Sequence, residues 1–93
     1  MTIRIGDWEF DNAEYDAESD VLYLSIQEPR PAIGEETPEG HIMLFDAETG
    51  EFCGLTLVSV AYLLALHDNC LTITVPHAEH VGADDLKPVL IPA

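Results

Sequence analysis

Basic residues are scarce in this sequence. Arg4, Arg30 and Lys87 are the only Lys or Arg side chains, against 18 aspartates and glutamates, and the formal net charge is -15. Proteins that bind DNA, RNA or anionic membrane surfaces neutralise phosphates with clustered Lys and Arg. The composition therefore predicts neither a nucleic-acid partner nor a membrane partner. A field of this sign speeds encounter with a basic protein partner, and an acidic surface that serves solubility alone is the alternative.

Cysteines and long apolar runs are also few. Cys53 and Cys70 lack the dense spacing of a secreted disulfide framework, although they leave one disulfide open. The longest nearly uninterrupted apolar run, residues 55–66, is well short of the roughly 20 residues that span a bilayer. The residues after Met1 include no apolar signal-peptide region. We expect a cytoplasmic protein.

Sequence motifs for catalysis are missing as well. There is no glycine-flanked serine elbow and no glycine-rich phosphate loop. Cys53 beside Gly54 is an arrangement that almost any chain offers, and a buried cysteine is usually inert. The sequence therefore predicts no catalytic residue and no cofactor.

One histidine cluster is a candidate metal site. His77 and His80 flank Glu79, and histidines three residues apart can share a metal if their segment is helical. Pro76 and Gly82 bracket the cluster and argue against a helix. Loop histidines are the alternative interpretation. Further ligands would have to come from Cys53, Cys70, His41 or His67.

The composition that remains is that of one small folded domain. Hydrophobic residues make up 47% of the chain, which is too many for a disordered protein. A chain of 93 residues buries roughly 60 to 68% of the surface that its unfolded form exposes. We predict a single domain over residues 1–93, with a core at 15–57 and a C-terminal extension at 58–93.

Alternating apolar residues predict several β-strands. Residues 2–5 and 8–11 alternate around Gly6-Asp7, which is typical of a tight hairpin. Residues 21–27 are the clearest strand, with three core positions. These are Leu22, Leu24 and Ile26.

Three later segments continue the predicted sheet. Residues 41–46 are apolar on both faces, which indicates a central strand or one covered twice. Residues 52–57 and 71–75 also read as strands, and Leu71, Ile73 and Val75 are expected in the core. Turn-forming residues at 38–40 and 46–50 separate neighbouring strands, so the sheet is predicted to be a meander. Residues 32–40, part of which can run extended along an edge, and residues 77–82 are predicted loops.

Residues 58–67 fit both periodicities. The alternation favours a strand, whereas good helix formers, Ser59 as an N-cap and Asn69 as a stop favour a short helix, which is the prediction here. The segment is apolar nearly all round, so we expect it to pack on its own sheet and on a second copy of the chain. Residues 83–86 predict one further helical turn, and the apolar tail 87–93 is a second candidate contact.

The sequence thus predicts an α+β fold, a small antiparallel β-meander with one short apolar helix packed on it and a C-terminal strand and tail. It also predicts a homo-oligomer, with a dimer favoured. The expected interface residues are Tyr62, Leu63, Leu64, Leu66, Leu90 and Ile91.

The middle of the chain resembles a small prokaryotic family known as domain of unknown function 2283. The resemblance covers residues 15–57 and lies in the order and spacing of several short elements. These are Tyr15-Asp16, Glu18, Asp20-Val21-Leu22-Tyr23-Leu24, Glu36, Gly40, Ile42, Leu44, Asp46, Gly50 and Gly54-Leu55-Thr56-Leu57.

The resemblance implies an architecture and no activity. It implies a small antiparallel meander followed by a helix, and an antitoxin-like role with a protein partner, because some relatives are encoded beside toxin-like proteins. After Leu57 this chain departs from the family pattern, since its next segment is apolar where relatives have a polar helix. The acidic corner at Asp16, Glu18 and Asp20 is interpreted as turn-forming side chains that cap backbone amides, with a weak cation site as the alternative.

Two functions follow from these observations. The first is a non-enzymatic, oligomerising interaction module that presents an acidic face to a basic partner protein. The alternative is a metal-binding protein or small enzyme that uses His77, Glu79 and His80.

Overall fold

The computed structural model describes residues 2–90. The predicted interface residue Ile91 lies outside this range. In chain order the elements are β1 (Ile3–Ile5), β2 (Trp8–Phe10), β3 (Asn12–Asp16), β4 (Val21–Ser25), β5 (Ala32–Glu36), β6 (Ile42–Asp46), β7 (Phe52–Val58), α1 (Val60–Leu66), β8 (Cys70–Thr74), β9 (Ala78–Gly82) and α2 (Ala83–Leu86). The predicted α+β class is confirmed.

A five-stranded antiparallel sheet with the strand order β3-β4-β7-β6-β5 forms the centre of the fold. Strands β5, β6 and β7 form an antiparallel meander, in which β6 and β7 are predicted strands and β5 comes from the predicted loop 32–40. Strand β7 also pairs with β4, with Leu24 opposite Leu55 and Leu22 opposite Leu57. The inward-facing residues of β4 and β7 are leucines, and this pairing buries them side by side in the core.

Two-stranded sheets lie beside the central sheet. The predicted hairpin of β1 and β2 is confirmed, and its turn uses Gly6 with a φ of 59°. The loop predicted at residues 77–82 is wrong, because β9 pairs with β8 along its whole length. Without β9, the backbone amides on one edge of β8 would lack partners, and β9 brings one buried side chain, Val81, into the core. Strand β5 lies within residues 32–40, part of which was predicted to run extended along an edge, and it is an edge strand of the sheet. Strand β3, the other edge strand, is not among the predicted strands, since few of its side chains are apolar.

The core lies between one face of the five-stranded sheet, which we call the inner face, and the elements around it. Leu71, Ile73 and Val75 are buried, as predicted. The buried cluster comprises Ile3, Ile5, Phe10, Leu22, Leu24, Leu55, Leu57, Val60, Leu64, Leu71, Ile73, Val75, Val81 and Leu86. Neither helix in the described part of the chain is long and apolar enough to cross a membrane.

The corners that follow β3 and β6 are built in the same way. In each, the aspartate that ends the strand accepts hydrogen bonds from the N–H groups two and three residues further on, at 3.1 and 3.4 Å for Asp16 and at 2.8 and 3.2 Å for Asp46. Each corner closes on a residue with positive φ, Asp20 at 57° and Gly50 at 76°. The turn-forming role predicted for Asp16 is confirmed.

Asp20, in the β3–β4 corner, caps the N-terminus of helix α1. The residue at the N-cap position, Ser59, has a φ of 57° and its side chain makes no capping hydrogen bond. The Asp20 carboxylate instead accepts the N–H groups of Ala61 at 2.9 Å and Tyr62 at 3.1 Å. Its main-chain carbonyl accepts that of Val60 at 3.2 Å. Three backbone donors at the start of the helix are thus satisfied by one residue of the β3–β4 corner.

The Asp20 carboxylate is held in its ionised form. Partial burial opposes ionisation, but hydrogen bonds from the Ala61 amide, the Tyr15 hydroxyl and the Tyr62 amide outweigh it and lower the pKa of Asp20. The Tyr15 hydroxyl lies 2.7 Å from Oδ1, and donating to this carboxylate raises the pKa of Tyr15. The hydrogen-bonded pair Tyr15 and Asp20 therefore positions α1 on the sheet.

We expect Asp20→Gly to destabilise the protein by about 1 to 3 kcal/mol, because glycine tolerates the positive φ but leaves the helix amides and Tyr15 without their acceptor. Urea denaturation measures the loss. Gly50→Asp is the matched control, because it puts aspartate at the same place in the equivalent corner, where no helix is capped. Gly50→Asp should cost only about 1 kcal/mol, which is the cost of placing a non-glycine residue at a positive φ. Equal or smaller loss in Asp20→Gly would contradict the capping role.

Candidate functional site

One side of α1 is apolar and exposed. Tyr62 is 63% exposed and Leu66 58%, and residues four apart lie on the same face of a helix. Leu63 is half-buried, and so is the predicted tail residue Leu90, which packs against the core cluster. Leu64 is 5% exposed and belongs to the core of the chain itself, so it is not available to a second copy.

No charged side chain lies on α1. All seven of its residues are apolar, with no acidic residue in the first turn and no basic residue in the last. The protein has a net charge of -15, so an uncharged helix is a distinct part of its surface. We refer to the exposed side chains of Tyr62 and Leu66 as the helix face.

The predicted metal residues are not brought together as a helical pair. His80 lies on β9 and His77 just before it, and residues three apart on an extended chain point in opposite directions. The Nδ1 atom of His80 lies 3.2 Å from the hydroxyl of Thr72 on β8. Within residues 2–90, no group of three or more His, Cys, Asp or Glu side chains is arranged to hold a metal ion.

A cleft that the sequence did not predict contains several titratable side chains. It has a volume of about 520 Å³ and lies between the end of α1, the start of β8 and the β5–β6 turn. Its polar side chains are those of Glu39, His41, His67, Cys70 and Thr72. No local sequence signal joins these residues, because they come from three separate segments.

The acid and base groups of this cleft already serve the fold. The Glu39 carboxylate accepts the N–H of Thr74 at 3.0 Å and its hydroxyl at 2.7 Å. Burial opposes its ionisation, but these hydrogen bonds outweigh burial and lower the pKa of Glu39. Glu39 thereby ties the β5–β6 turn to β8. The cleft is accordingly interpreted as a structural junction.

His41 is the most buried titratable group of the cleft, at 1% exposure. Its Nδ1 accepts the N–H of Val58 at 3.0 Å, so the neutral ring carries its proton on Nε2, which is buried and makes no hydrogen bond within the described residues. Burial lowers the pKa of His41, against the opposing effect of the Glu39 carboxylate. Protonation of Nδ1 would remove the acceptor for Val58.

The lowered pKa of His41 makes the protein less stable in mild acid. The unfolded chain binds a proton near the ordinary value of about pH 6.5, whereas the folded chain resists it, so stability falls as pH decreases from about 6.5 toward the folded pKa. The hydrogen-bonded carboxylates of Asp20 and Glu39 also have lowered pKa values, but their contribution is lost only below about pH 4. A loss of stability between about pH 6.5 and 5 is therefore assigned to His41 and not to these two carboxylates.

We expect His41→Gln to remove most of this pH dependence, because a glutamine oxygen can accept the Val58 N–H and does not titrate. The variant should be less stable by about 1 to 3 kcal/mol at neutral pH. Urea denaturation at about pH 7.5, 6.5 and 5.5 measures both effects. Thr37→Val, which removes the buried hydroxyl that accepts the His41 main-chain N–H at 3.0 Å but removes no titrating group, is the control and should keep the original slope. An unchanged slope in His41→Gln would contradict the assignment.

The other face of the five-stranded sheet, which we call the outer face, carries apolar side chains that neither helix within residues 2–90 covers. Tyr23 on β4 is 48% exposed. Thr56, Ile42 and Leu44, on β7 and β6, are half-buried. An uncovered face of an antiparallel sheet is ordinarily polar. The prediction that β6 is apolar on both faces is thus correct, but only one of them is packed against the core.

A groove in two adjoining parts lies on this outer face. Its first part, of about 460 Å³, is lined by Tyr23, Leu44, Thr56 and the β4–β5 connection at Pro29. Its second part, of about 650 Å³, follows the β3–β4 corner, and both parts share Glu14, Tyr23 and Pro29. We call the two parts together the outer groove.

Comparison with protein-family models, curated proteins and solved structures finds no match for this chain. The resemblance to domain of unknown function 2283 therefore stays a prediction. The candidate sites that the geometry supports are the helix face and the outer groove.

Proposed function

We propose that this protein is a non-enzymatic interaction module, which self-associates through the helix face and binds a basic partner protein through its acidic surface. The observation that carries the proposal is the exposed pair Tyr62 and Leu66 on a helix without charge, in a chain of net charge -15. An antitoxin-like role is one form that this function can take.

Self-association is supported by how firmly α1 is held. Its first turn is bound to Asp20, and its inner side chains Val60 and Leu64 are buried in the core. Because the helix is fixed in the single chain, burying Tyr62 and Leu66 against a second copy needs little ordering of backbone. Full burial of a leucine side chain is worth about 1.5 to 3 kcal/mol. An uncharged helix also brings the two copies together where their mutual repulsion is weakest.

We expect Leu66→Asp to convert the protein to a monomer, because the carboxylate would be desolvated in the interface and would face its symmetry mate. Light scattering measures the mass, and circular dichroism checks the fold. Ala47→Asp is the matched control, since it adds the same charge at an exposed corner. Leu64→Asp is unsuitable, because Leu64 belongs to the core of the single chain. A native protein that is already monomeric, or one whose mass does not change in Leu66→Asp, would overturn the self-association.

The basic partner is supported by the way the few cations are used. The Arg30 guanidinium pairs with Asp46, with 3.0 Å between Nε and Oδ2, and Arg4 pairs with Glu9. These pairs leave a large excess of unpaired carboxylates to set the sign of the field. Such a field attracts cationic surfaces over about one Debye length and repels acidic ones.

Salt should weaken the partner interaction and not the self-association. We expect the association rate with a basic protein partner, isolated from the native host, to fall by about tenfold between about 0.05 and 0.5 M salt, because screening removes the steering. Self-association should be unchanged or stronger, because the same screening weakens repulsion between two acidic copies. Stopped-flow kinetics and light scattering make the two measurements. A salt-independent association rate would count against electrostatic steering.

A further inference from the structure

The outer groove has a floor that is set by the register of the sheet. Directly opposed residues of an antiparallel pair lie on the same face, and Tyr23 stands opposite Glu14 on one side and Thr56 on the other. In the neighbouring row, Leu44 lies between two glycines, Gly54 on β7 and Gly34 on β5. A hollow beside an exposed tyrosine is the result.

The two glycines give the Leu44 side chain room to lie between them. A Cβ atom at Gly54 would approach the carbonyl oxygen of Leu24 to 2.8 Å and the Leu44 side chain to 3.3 Å, and one at Gly34 would approach the side chains of Ile42 and Leu44 to 2.9 and 3.8 Å. Leu44 is half-buried and lines the groove together with Tyr23. The hollow beside Tyr23 is therefore floored by the Leu44 side chain and is formed within the single chain.

Carboxylates border the groove on the side of β3. Glu14 lines both of its parts, and Asp16 and Glu18 line the part along the corner. All three side chains are exposed. We call them the acidic rim. The positive group in the groove, Arg30, is paired with Asp46 and does not neutralise the rim.

We propose that the outer groove binds an extended basic segment of a partner protein, with one apolar side chain in the hollow beside Tyr23 and Lys or Arg side chains against the acidic rim. This inference rests on the basic partner of the proposed function and identifies where that partner binds. An exposed tyrosine ring also offers its face to a cation, which adds a cation–π contact to the ion pairs.

The negative charge of the acidic rim favours a basic segment in the outer groove over a second copy of the chain. Packing two outer faces together would bring two acidic rims into one interface, and like charges close together in an interface cost several kcal/mol. The helix face carries no such penalty. It also lies on the opposite side of the sheet, because α1 packs on the inner face through Val60 and Leu64.

The test uses a peptide of sequence Lys-Lys-Leu-Lys-Lys, acetylated and amidated at its ends, and the full chain labelled with nitrogen-15. Two control peptides replace either the leucine by serine or all lysines by glutamate. We expect the first peptide to shift amide resonances of β3, β4 and β7 on the outer face. Replacing the leucine should weaken binding, and replacing the lysines should abolish it.

Two exposed hydrophobic side chains provide the matched variants. Tyr23→Ala, in the groove, should weaken peptide binding by about fivefold, because it removes the cation–π and apolar contacts. Ile33→Ala, on the edge strand β5 and outside the groove, should leave binding unchanged. Glu14→Gln should also weaken binding, whereas Glu51→Gln, at an exposed turn outside the groove, should have a smaller effect.

The outcomes separate the two proposals. Equal binding by Tyr23→Ala and Ile33→Ala, or resonance shifts spread over acidic residues elsewhere, would overturn the groove as the site and leave the basic partner standing. No binding of the lysine peptide to the unmodified protein at low salt would overturn both the groove and the basic partner. Shifts confined to the outer face, with the expected difference between these two variants, would support the groove.

Discussion

The arrangement of this protein depends on the carboxylate of Asp20. Helix α1 has seven residues, and a helix so short has little stability of its own. Ser59, the residue before it, makes no cap with its side chain, so the first N–H groups of α1 depend on an acceptor that comes from a β-hairpin about 40 residues earlier. The first turn of the helix therefore takes its hydrogen-bond acceptors from the hairpin corner. The same carboxylate accepts the Tyr15 hydroxyl, which links the cap to the edge strand β3.

Comparison of the two aspartate corners shows which features the sequence alone could predict. The corner after β6 ends on Gly50, whose positive φ follows from a local rule for glycine in turns, and it was correctly predicted. The corner after β3 has Asp20 at the same place. Its turn was equally predictable, but its acceptor role was not, because the donors lie on a helix that is distant in sequence. Strand β9 was not predicted for a similar reason. It is a strand because it pairs with β8, and its own sequence shows no apolar alternation, since only Val81 is deeply buried.

The candidate sites follow the same division. Apolar residues in 58–67 predicted the short helix correctly, but a helix that is apolar all round does not reveal which residues point inward. Leu64 proved to be a core residue, whereas Leu66 is exposed. The outer groove is assembled from β3, β4, β6 and β7, and only the strand order brings Tyr23 and Leu44 to one hollow. The double-sided apolar pattern of β6 was the one sequence signal for this surface.

The central sheet separates two surfaces that differ in charge, one uncharged and one acidic. On the inner face, α1 presents an uncharged pair of side chains, and on the outer face the groove carries an apolar hollow beside carboxylates. Self-association of an acidic protein is least costly where charge is absent, and capture of a basic segment is most favourable where carboxylates and an aromatic ring lie together. Because the sheet stands between them, occupation of one surface does not cover the other. Two copies joined at α1 would therefore present two grooves, and a partner with two basic segments would gain from binding both at once.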